Sequence, residues 1–547
     1  MKSAFKPDEQ TAITLVKQFR KGDTTFPSNF GPGTQVSEDV CLVKLMVGPG
    51  NPGPANAPST TAGIGMEVWL PNVTAWNGRV HNLGNGGWGG TSESVLTKNS
   101  ELSAGAIGVA TLEGAVSSTT DMGYLSPITF YKGNQMMNPD GTINKALWSD
   151  FSHRHLREQA LKTRALATAF YGTAPTRSYF EGASTGGRQA LKLAQEYPEL
   201  YDGIAASMPA INWIPMGANV TWIPFVVQRD LGGADLTAAQ LNLVSNAAIG
   251  ACDVVGGQHL GYILDPSTCH YDPTADSSVV CAANGGTNAT SACVTPVQAA
   301  AINKFWYGVT SDGSVPAPAL DLGWEVPSPS GLHRWYGLAR GSNMSPPPPP
   351  IFYTSQIALS LQDPTLASPD FFNATGNGAD YWKLLTYAQF SNSIDRGYAL
   401  QESFAHINTD NPDLSAFKAK GGKLVMMHGL NDAVIPAQGS INYYNRVASK
   451  MNGIDGIQDF YRFYLIPGFG HGVANGTTNS SANPPTPGGR QIYDLVVDWV
   501  EKGAAPADRI ELTPATQGGP TAPACAYPKK RTYVSGDINL SASYSCS

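Results

Sequence analysis

The stretch that decides the fold is Tyr179-Phe180-Glu181-Gly182-Ala183-Ser184-Thr185-Gly186-Gly187-Arg188, which contains a Gly-x-Ser-x-Gly pattern. A short apolar run precedes the serine, and helical spacing follows it over 188–197, so the serine falls on a turn between a strand and a helix. A nucleophile elbow requires this context, because the glycines permit a sharp turn and the serine hydroxyl then projects above the sheet edge. We predict that Ser184 is a catalytic nucleophile. The alternative is a structural glycine-rich turn.

Short apolar runs alternate with helical patterns on both sides of this stretch. Such alternation argues for a parallel sheet with helices on both faces, and therefore for an α/β fold. The predicted strands are 65–70, 80–83, 106–110, 179–180, 203–206, 423–428 and 461–466, and the predicted helices lie within 149–171, 188–197, 438–451 and 490–502.

The middle of the chain has a different character. Residues 213–395 contain four of the seven cysteines and the proline run 346–350, and they lack the regular alternation of strands and helices. We therefore predict one α/β core, formed by residues 1–212 and 396–547, that is interrupted by an inserted domain at 213–395.

A serine nucleophile needs a general base and a carboxylate that orients the base. After an elbow of this type the expected chain order is serine, acid, histidine. Of the nine histidines, only His471 lies in a glycine-rich loop just after a late strand, and Asp432 lies in the loop after the preceding strand. We predict that His471 is the base and Asp432 the acid. His428 precedes the acid and is interpreted as a residue at the end of a strand.

An oxyanion hole needs two backbone N–H groups. The first is expected from Thr185, directly after the nucleophile, and the second from an earlier glycine-rich loop. Residues 84–90, Gly-Asn-Gly-Gly-Trp-Gly-Gly, follow a predicted strand, and we expect Gly87 to be the second donor. The alternative is that this loop is only a flexible turn.

Composition excludes several classes of partner. The net charge is −7, and the longest basic run is the triplet Lys529-Lys530-Arg531, so binding to nucleic acid or to an anionic membrane is not expected. No apolar stretch approaches the ~18 residues of a membrane-spanning helix. We expect a soluble protein.

The cysteines favour a secreted protein. Their spacing predicts three local disulfides, 252/269, 281/293 and 525/546, with Cys41 left over. A zinc site would need closely spaced Cys or His pairs, and only Cys269-His270 comes near this spacing. Several Asn-x-Ser/Thr sequons suit a glycosylated protein. Residues 1–7 lack the apolar segment of a signal peptide, which leaves either a cytoplasmic chain or a chain whose leader is absent from the sequence. The cysteines and sequons together favour secretion.

These motifs resemble the tannase and feruloyl esterase family over nearly the whole chain. The resemblance implies a secreted serine esterase with an α/β-hydrolase core, a large lid domain in the inserted region, and a site shaped for aromatic acyl esters. It also implies that Ser184, Asp432 and His471 form the triad. The segments that carry it are 76–79, 84–88, 182–188, 201–204, 417–429 with Asp432, and 467–471.

The sequence departs from the family pattern in two places. The family usually has a cysteine just before the nucleophile and another just after the histidine, joined as a disulfide, and here these positions are Ala183 and Gly472. The family lid also usually binds calcium through an acidic loop, but in residues 252–261 Asp253 is the only acid. Calcium prefers several oxygen ligands with carboxylates among them, so we expect no metal and no other cofactor.

The leading hypothesis is hydrolysis of a carboxylic ester, either a small molecule or an aromatic ester linked to a polymer. One alternative is a transacylase that uses the same triad with another acceptor in place of water. A second alternative, of a different class, is a binding protein on an esterase scaffold that has lost its activity. The presence of serine, acid and histidine in the expected order argues against this last hypothesis.

Overall fold

The computed structural model describes residues 5, 7–27, 31–54, 57–89, 96–99, 103–123, 133–328, 330–345, 351–369, 371–373, 376–514 and 516–547. The strands are β1 Thr11–Phe19, β2 Val40–Val47, β3 Ile64–Pro71, β4 Arg79–Leu83, β5 Ser117–Thr120, β6 Arg177–Ala183, β7 Gly203–Ser207, β8 Val254–Val255, β9 Gln258–His259, β10 Gly308–Thr310, β11 His333–Tyr336, β12 Phe372–Asn373, β13 Gly376–Asn377, β14 Lys423–Gly429, β15 Tyr461–Ile466, β16 Arg509–Leu512, β17 Ala522–Cys525, β18 Arg531–Tyr533 and β19 Tyr544–Cys546. The helices are α1 Ser103–Gly108, α2 Lys145–Ser149, α3 His155–Tyr171, α4 Thr185–Glu196, α5 Trp213–Asp230, α6 Ala238–Cys252, α7 Pro296–Tyr307, α8 Ile351–Leu361, α9 Tyr387–Ala399, α10 Ser415–Lys420, α11 Ala437–Lys450 and α12 Gln491–Lys502.

A parallel sheet forms the centre of the predicted core. Its order within the described residues is β15-β14-β7-β6-β4, and every neighbouring pair in it is parallel. The carboxyl ends of parallel strands meet at one edge, so the loops after β6, β14 and β15 are brought together there. These are the loops that carry Ser184, Asp432 and His471.

Helices cover both faces of this sheet, as the alternating pattern predicts. Successive strand residues point to opposite faces. In β14, Leu424 and Met426 pack with residues of α3, α4 and α11, whereas Val425 packs with residues of α12. The predicted α/β architecture is therefore confirmed.

A second, antiparallel sheet near the N-terminus was not predicted. Its order is β1-β2-β3-β5, and the predicted strand 65–70 belongs to it rather than to the parallel sheet. The predicted strand at 106–110 is wrong, because these residues continue α1 into a π-helical turn, Val109–Glu113. A short apolar run cannot distinguish a strand from a buried helix face, and Ala106, Ile107 and Ala110 are buried as one face of this helical segment.

Helices α5 to α8 lie in the region predicted as an insertion, and α9 begins in it and ends at Ala399; all five contribute to one large apolar cluster with residues of α2. The aromatic residues Trp306, Trp335 and Tyr336 of this region are core residues, since all three are buried in that cluster. The boundaries 213 and 395 of the inserted domain stay a prediction.

The structure describes all seven cysteines. It contains the three predicted disulfides, Cys252–Cys269, Cys281–Cys293 and Cys525–Cys546. Cys41 lies on β2, is half-buried and forms no disulfide among the described residues.

Candidate active site

Ser184 occupies a sharp turn between β6 and α4. Its backbone has φ 62° and ψ −123°, which is strained for a residue with a side chain and is typical of a nucleophile elbow. The turn requires glycine at Gly182, because a Cβ there would overlap the carbonyl oxygen of Gly186. The Gly-x-Ser-x-Gly spacing therefore has a steric cause in this structure.

Backbone hydrogen bonds fix the serine on both sides. The Ser184 N–H donates to the carbonyl of Ser207 at 3.0 Å, and the Ser184 carbonyl accepts from the N–H of Ala210 at 3.0 Å. The elbow is thus attached to the segment that follows β7. Below it, the buried guanidinium of Arg188 donates to the carbonyls of Phe151 at 2.9 Å and Ser152 at 3.0 Å, which anchors the first turn of α4.

Asp432 and His471 are joined directly. His471 Nδ1 lies 2.7 Å from Asp432 Oδ2, while Asp432 Oδ1 accepts from the N–H groups of Val434 and Ile435 at 2.8 Å each. Asp432 is buried and His471 half-buried. Because the carboxylate engages Nδ1, a proton from a reacting group would have to be accepted by Nε2.

In the pair of Asp432 and His471, the pKa of the acid is lowered and the pKa of the histidine is raised, so the charged form of each residue is favoured. Burial opposes ionisation of Asp432, but the charge of His471 and the hydrogen bonds from His428 and His471 outweigh it and hold the pKa of Asp432 far below its usual range. Burial also opposes protonation of His471, but the charge of Asp432 and its hydrogen bond raise the His471 pKa. An acid that stays ionised is what a base-orienting carboxylate requires.

His428 is a second partner of the acid that the sequence did not identify. It lies in β14, as expected, but its Nε2 is 3.3 Å from Asp432 Oδ2 and 2.9 Å from the carbonyl oxygen of Ile435. Its Nδ1 is 2.8 Å from the hydroxyl of Ser440. The i,i+4 spacing of His428 and Asp432 could have suggested the contact only if the turn between them had been known.

The predicted oxyanion loop lies against the elbow. The Thr185 hydroxyl donates to the carbonyl of Gly87 at 2.8 Å, and the Asn85 N–H donates to Gln189 Oε1 at 3.0 Å. Both contacts hold the loop at the N-terminus of α4, where backbone N–H groups favour negative charge. The roles of Thr185 and Gly87 as oxyanion donors stay predictions, and Gly90 lies outside the described residues.

The structure describes both positions at which this chain lacks the family's cysteines. Ala183 ends β6 and is exposed. Gly472 has φ 72°, and a Cβ on it would lie 4.0 Å from Met208 Cε. Met208 directly follows Ser207, whose carbonyl holds Ser184, so the histidine loop and the serine loop approach the same segment.

The loop expected to have lost calcium binding uses its acid for other contacts. Asp253 Oδ1 lies 2.6 Å from His259 Nδ1, and Asp253 Oδ2 accepts from the N–H of Gly261 at 2.8 Å. Across the described residues, no group of three or more His, Cys, Asp or Glu side chains could hold a metal ion. The residues present in this loop do not fit a calcium site, and the absence of bound calcium stays a prediction.

A serine on an elbow, followed by a hydrogen-bonded acid and histidine at the same edge of a parallel sheet, defines the class of α/β-hydrolases. The family model described as tannase and feruloyl esterase matches residues 54–547. The chain belongs to this family, has the α/β-hydrolase fold and is a carboxylic ester hydrolase.

Relatives of known name agree with the family assignment. A probable feruloyl esterase of Arthroderma benhamiae is 30% identical over 533 residues, which cover 95% of this chain and 87% of the relative. A mono(2-hydroxyethyl) terephthalate hydrolase of Piscinibacter sakaiensis is 28% identical over 525 residues, which cover 86% of this chain and 79% of the relative.

Solved structures share the fold. Feruloyl esterase B from Aspergillus oryzae matches with a TM-score of 0.74 and 22% identity, over 99% of this chain and 97% of that protein. Tannin acyl hydrolase from Aspergillus niger matches with a TM-score of 0.70 and 22% identity, over 100% of this chain and 94% of that protein. Within the described part of the chain, no helix has the length and apolarity needed to cross a membrane.

Proposed function

We propose that the chain hydrolyses esters of aromatic acids through an acyl-enzyme formed on Ser184. The hydrogen bond of 2.7 Å between Asp432 and His471 carries this proposal, because it prepares a base at the sheet edge where the elbow presents the serine. Aromatic substrates are supported by the relatives, whose names specify feruloyl and terephthalate esters.

The reaction has two halves. In the first, Ser184 Oγ attacks the ester carbonyl carbon as His471 Nε2 takes its proton, and collapse of the tetrahedral intermediate releases the alcohol with that proton. In the second, His471 takes a proton from water, the resulting hydroxide attacks the acyl carbon, and the acid leaves as the proton returns to Ser184. The N–H groups of Thr185 and Gly87 stabilise the oxyanion in both halves.

The protein is proposed to act outside the cell on small-molecule or polymer-linked esters. Three disulfides support secretion, because disulfides persist in oxidising compartments. The sequons are not equivalent as glycosylation sites. Asn219 is buried within α5, whereas Asn72 and Asn343 are exposed.

A fluorophosphonate probe and a panel of esters test the proposal. The probe should label Ser184 in the wild-type protein and leave Ser184→Ala unlabelled. Methyl hydroxycinnamates and galloyl esters should be cleaved with a higher kcat/KM than methyl esters of saturated acids of similar size. Failure to label Ser184 would refute the acyl-enzyme, and a preference for the saturated esters would refute the aromatic specificity. Product analysis with an added alcohol would separate hydrolysis from acyl transfer.

A further inference from the structure

Asn431 directly precedes the candidate acid Asp432, and none of its surface is exposed. A side-chain amide has an oxygen that accepts and an NH2 group that donates, and burying either group without a partner is costly. Here both groups have partners. Asn431 Oδ1 accepts from the backbone N–H of Gly468 at 3.1 Å, and Nδ2 donates to the hydroxyl of Ser342 at 3.3 Å. One buried side chain therefore joins the loop of the acid, the loop of the histidine and a segment of the region predicted as an insertion.

The loop that carries His471 also closes against the backbone of Asn431. The Asn431 N–H donates to the carbonyl of Phe469 at 3.0 Å, and the Gly476 N–H donates to the carbonyl of Gly468 at 2.8 Å. A Cβ on Gly476 would lie 2.9 Å from the carbonyl oxygen of Asn431, which is too close for a side chain. Both ends of the histidine loop therefore contact this one asparagine.

The region predicted as an insertion is attached to the same loop. Ser342 is fully buried and pairs with Thr477 in an isolated antiparallel bridge, and the Asn343 N–H donates to the carbonyl of Gly476 at 2.9 Å. The hydrogen bond from Asn431 to Ser342 adds a side-chain contact to these backbone contacts. The histidine loop and Asn431 are therefore held by the same two residues of that region.

The histidine loop has little stiffness of its own. Residues 467–472 read Pro-Gly-Phe-Gly-His-Gly, and glycine gives the backbone wide conformational freedom. A misplacement of about 1 Å in a catalytic group can cost on the order of a hundredfold in rate. Asp432 holds the imidazole of His471 at 2.7 Å, while the adjacent Asn431 holds the backbone on which that imidazole is mounted.

We propose that Asn431 is a positioning residue for the base, which acts by fixing the loop of His471 relative to Asp432. Its buried amide also ties this loop to the inserted region through Ser342. The inference rests on the proposed function, in which His471 accepts the proton of Ser184.

The experiment replaces Asn431 with leucine, which has a similar size but no hydrogen-bonding group. With methyl ferulate as substrate, Asn431→Leu should lower kcat at least about tenfold and change KM less than about threefold. The acidic midpoint of its pH–rate profile should move to lower pH, because a looser contact with Asp432 raises the pKa of His471 less. His428, which lies beside the same carboxylate, is unchanged in this variant.

Asn303→Leu is the matched control. Asn303 lies on α7, is 7% exposed, and its Nδ2 donates to Asp272 Oδ1 at 2.8 Å rather than to a catalytic loop. This variant should lower the melting temperature but keep kcat within about twofold and leave the pH midpoint unchanged. Equal losses of kcat in the two leucine variants would indicate a general loss of structure and would overturn the proposal. An unchanged pH midpoint in Asn431→Leu would overturn it too.

A second variant keeps the test decisive if Asn431→Leu fails to fold. Ser342→Ala removes the acceptor of Asn431 Nδ2 and leaves the hydrogen bond to Gly468 in place. It should lower kcat by about threefold and move the pH midpoint in the same direction. Wild-type kcat and midpoint in a folded Ser342→Ala would overturn the proposal.

Labelling by a fluorophosphonate separates this inference from the function on which it rests. A wild-type protein that is not labelled at Ser184 would refute the proposed function itself. A wild-type protein that is labelled and cleaves the ester, beside an Asn431→Leu variant with the same kcat and labelling rate, would refute only the positioning role. We expect labelling of both proteins, with a lower rate in Asn431→Leu.

Discussion

The imidazole of His428 lies 3.3 Å from the carboxylate of Asp432, on the same oxygen that is 2.7 Å from His471. Because the other His428 Nε2 neighbour is the carbonyl of Ile435, both neighbours are acceptors, and Nε2 must carry a hydrogen. With two backbone N–H donors on Oδ1, the buried carboxylate is held in one orientation by contacts on both oxygens. We therefore expect His428 to be a positioning residue that acts through Asp432.

Replacing His428 should impair turnover without affecting substrate binding. We expect His428→Ala to lower kcat by about tenfold or more with little change in KM, because the hydrogen bond to a charged group is worth about 1.5–3 kcal/mol. His428→Gln keeps an N–H donor and should restore most of the loss. Steady-state kinetics, with melting temperature as a folding control, would check this. An equal loss in the alanine and glutamine variants would indicate a packing role instead.

Replacing Ser184 should abolish the chemistry and preserve the fold. Ser184→Ala is expected to lower kcat by about a thousandfold or more, since the nucleophile contributes little packing. Ser415→Ala, at an exposed position at the start of α10, is a control that should retain full activity. More than a tenth of wild-type activity in the Ser184 variant would exclude it as the nucleophile.

The acidic limb of the pH profile should report His471. The base must be neutral to accept a proton, so kcat/KM should rise with pH through the His471 pKa, at a midpoint above the ordinary value of about 6.5. Asp432→Asn removes the charge that raises this pKa, and the midpoint of its residual activity should move to lower pH. A pH–rate profile of both proteins would measure the shift. The same midpoint in both would contradict the electrostatic role of Asp432.

The geometry of the candidate site was predictable from sequence where that geometry is local. The elbow depends on residues within one turn, and its glycines are required by close backbone contacts such as that between Gly182 and Gly186, so a short pattern identifies it. Asp432 and His471 could be selected as candidates because each follows a strand, and the ends of parallel strands converge. The predicted strand at 461–466 has the limits that the structure shows, because its apolar run is bounded by turn residues.

Sequence did worse where the outcome depends on tertiary packing. The apolar run at 106–110 fits a buried strand and a buried helix face equally well. Only its packing against the antiparallel sheet decides between the two. The contact between His428 and Asp432 depends on the conformation of the intervening turn. The hydrogen bond between Asn431 and Ser342 joins segments far apart in the chain, which no local pattern brings together.

Chelation should leave the protein unchanged. Both oxygens of Asp253 are engaged by His259 and Gly261, so EDTA is expected to alter neither the melting temperature nor the activity. Thermal unfolding with EDTA, and with added calcium, would check this. A fall in melting temperature that calcium reverses would show that other oxygens complete a calcium site.

A buried histidine lies at the far edge of the parallel sheet. His81, on β4, is 2% exposed, with Nδ1 3.1 Å from Glu113 Oε2 and Nε2 3.3 Å from Glu181 Oε2. Its ring stacks on Tyr493 at 3.8 Å, and Arg490 Nη1 lies 3.1 Å from Glu113. Burial opposes its protonation, but the hydrogen bond to Glu113 and the negative charges of Glu113 and Glu181 outweigh this and raise the His81 pKa.

Because the folded-state pKa of His81 is raised, its charged form stabilises the fold at low pH. This contribution is complete below the unfolded pKa of about 6.5 and is lost as pH rises through the higher folded-state pKa. The difference in free energy of unfolding between the wild type and His81→Gln should therefore be largest below about pH 6.5 and should decrease as the pH rises through the folded-state pKa. Denaturant unfolding at several pH values would measure it, with Lys529→Met as a control that leaves this network intact. A difference that stays constant with pH would mean that His81 contributes by packing on Tyr493 rather than by charge.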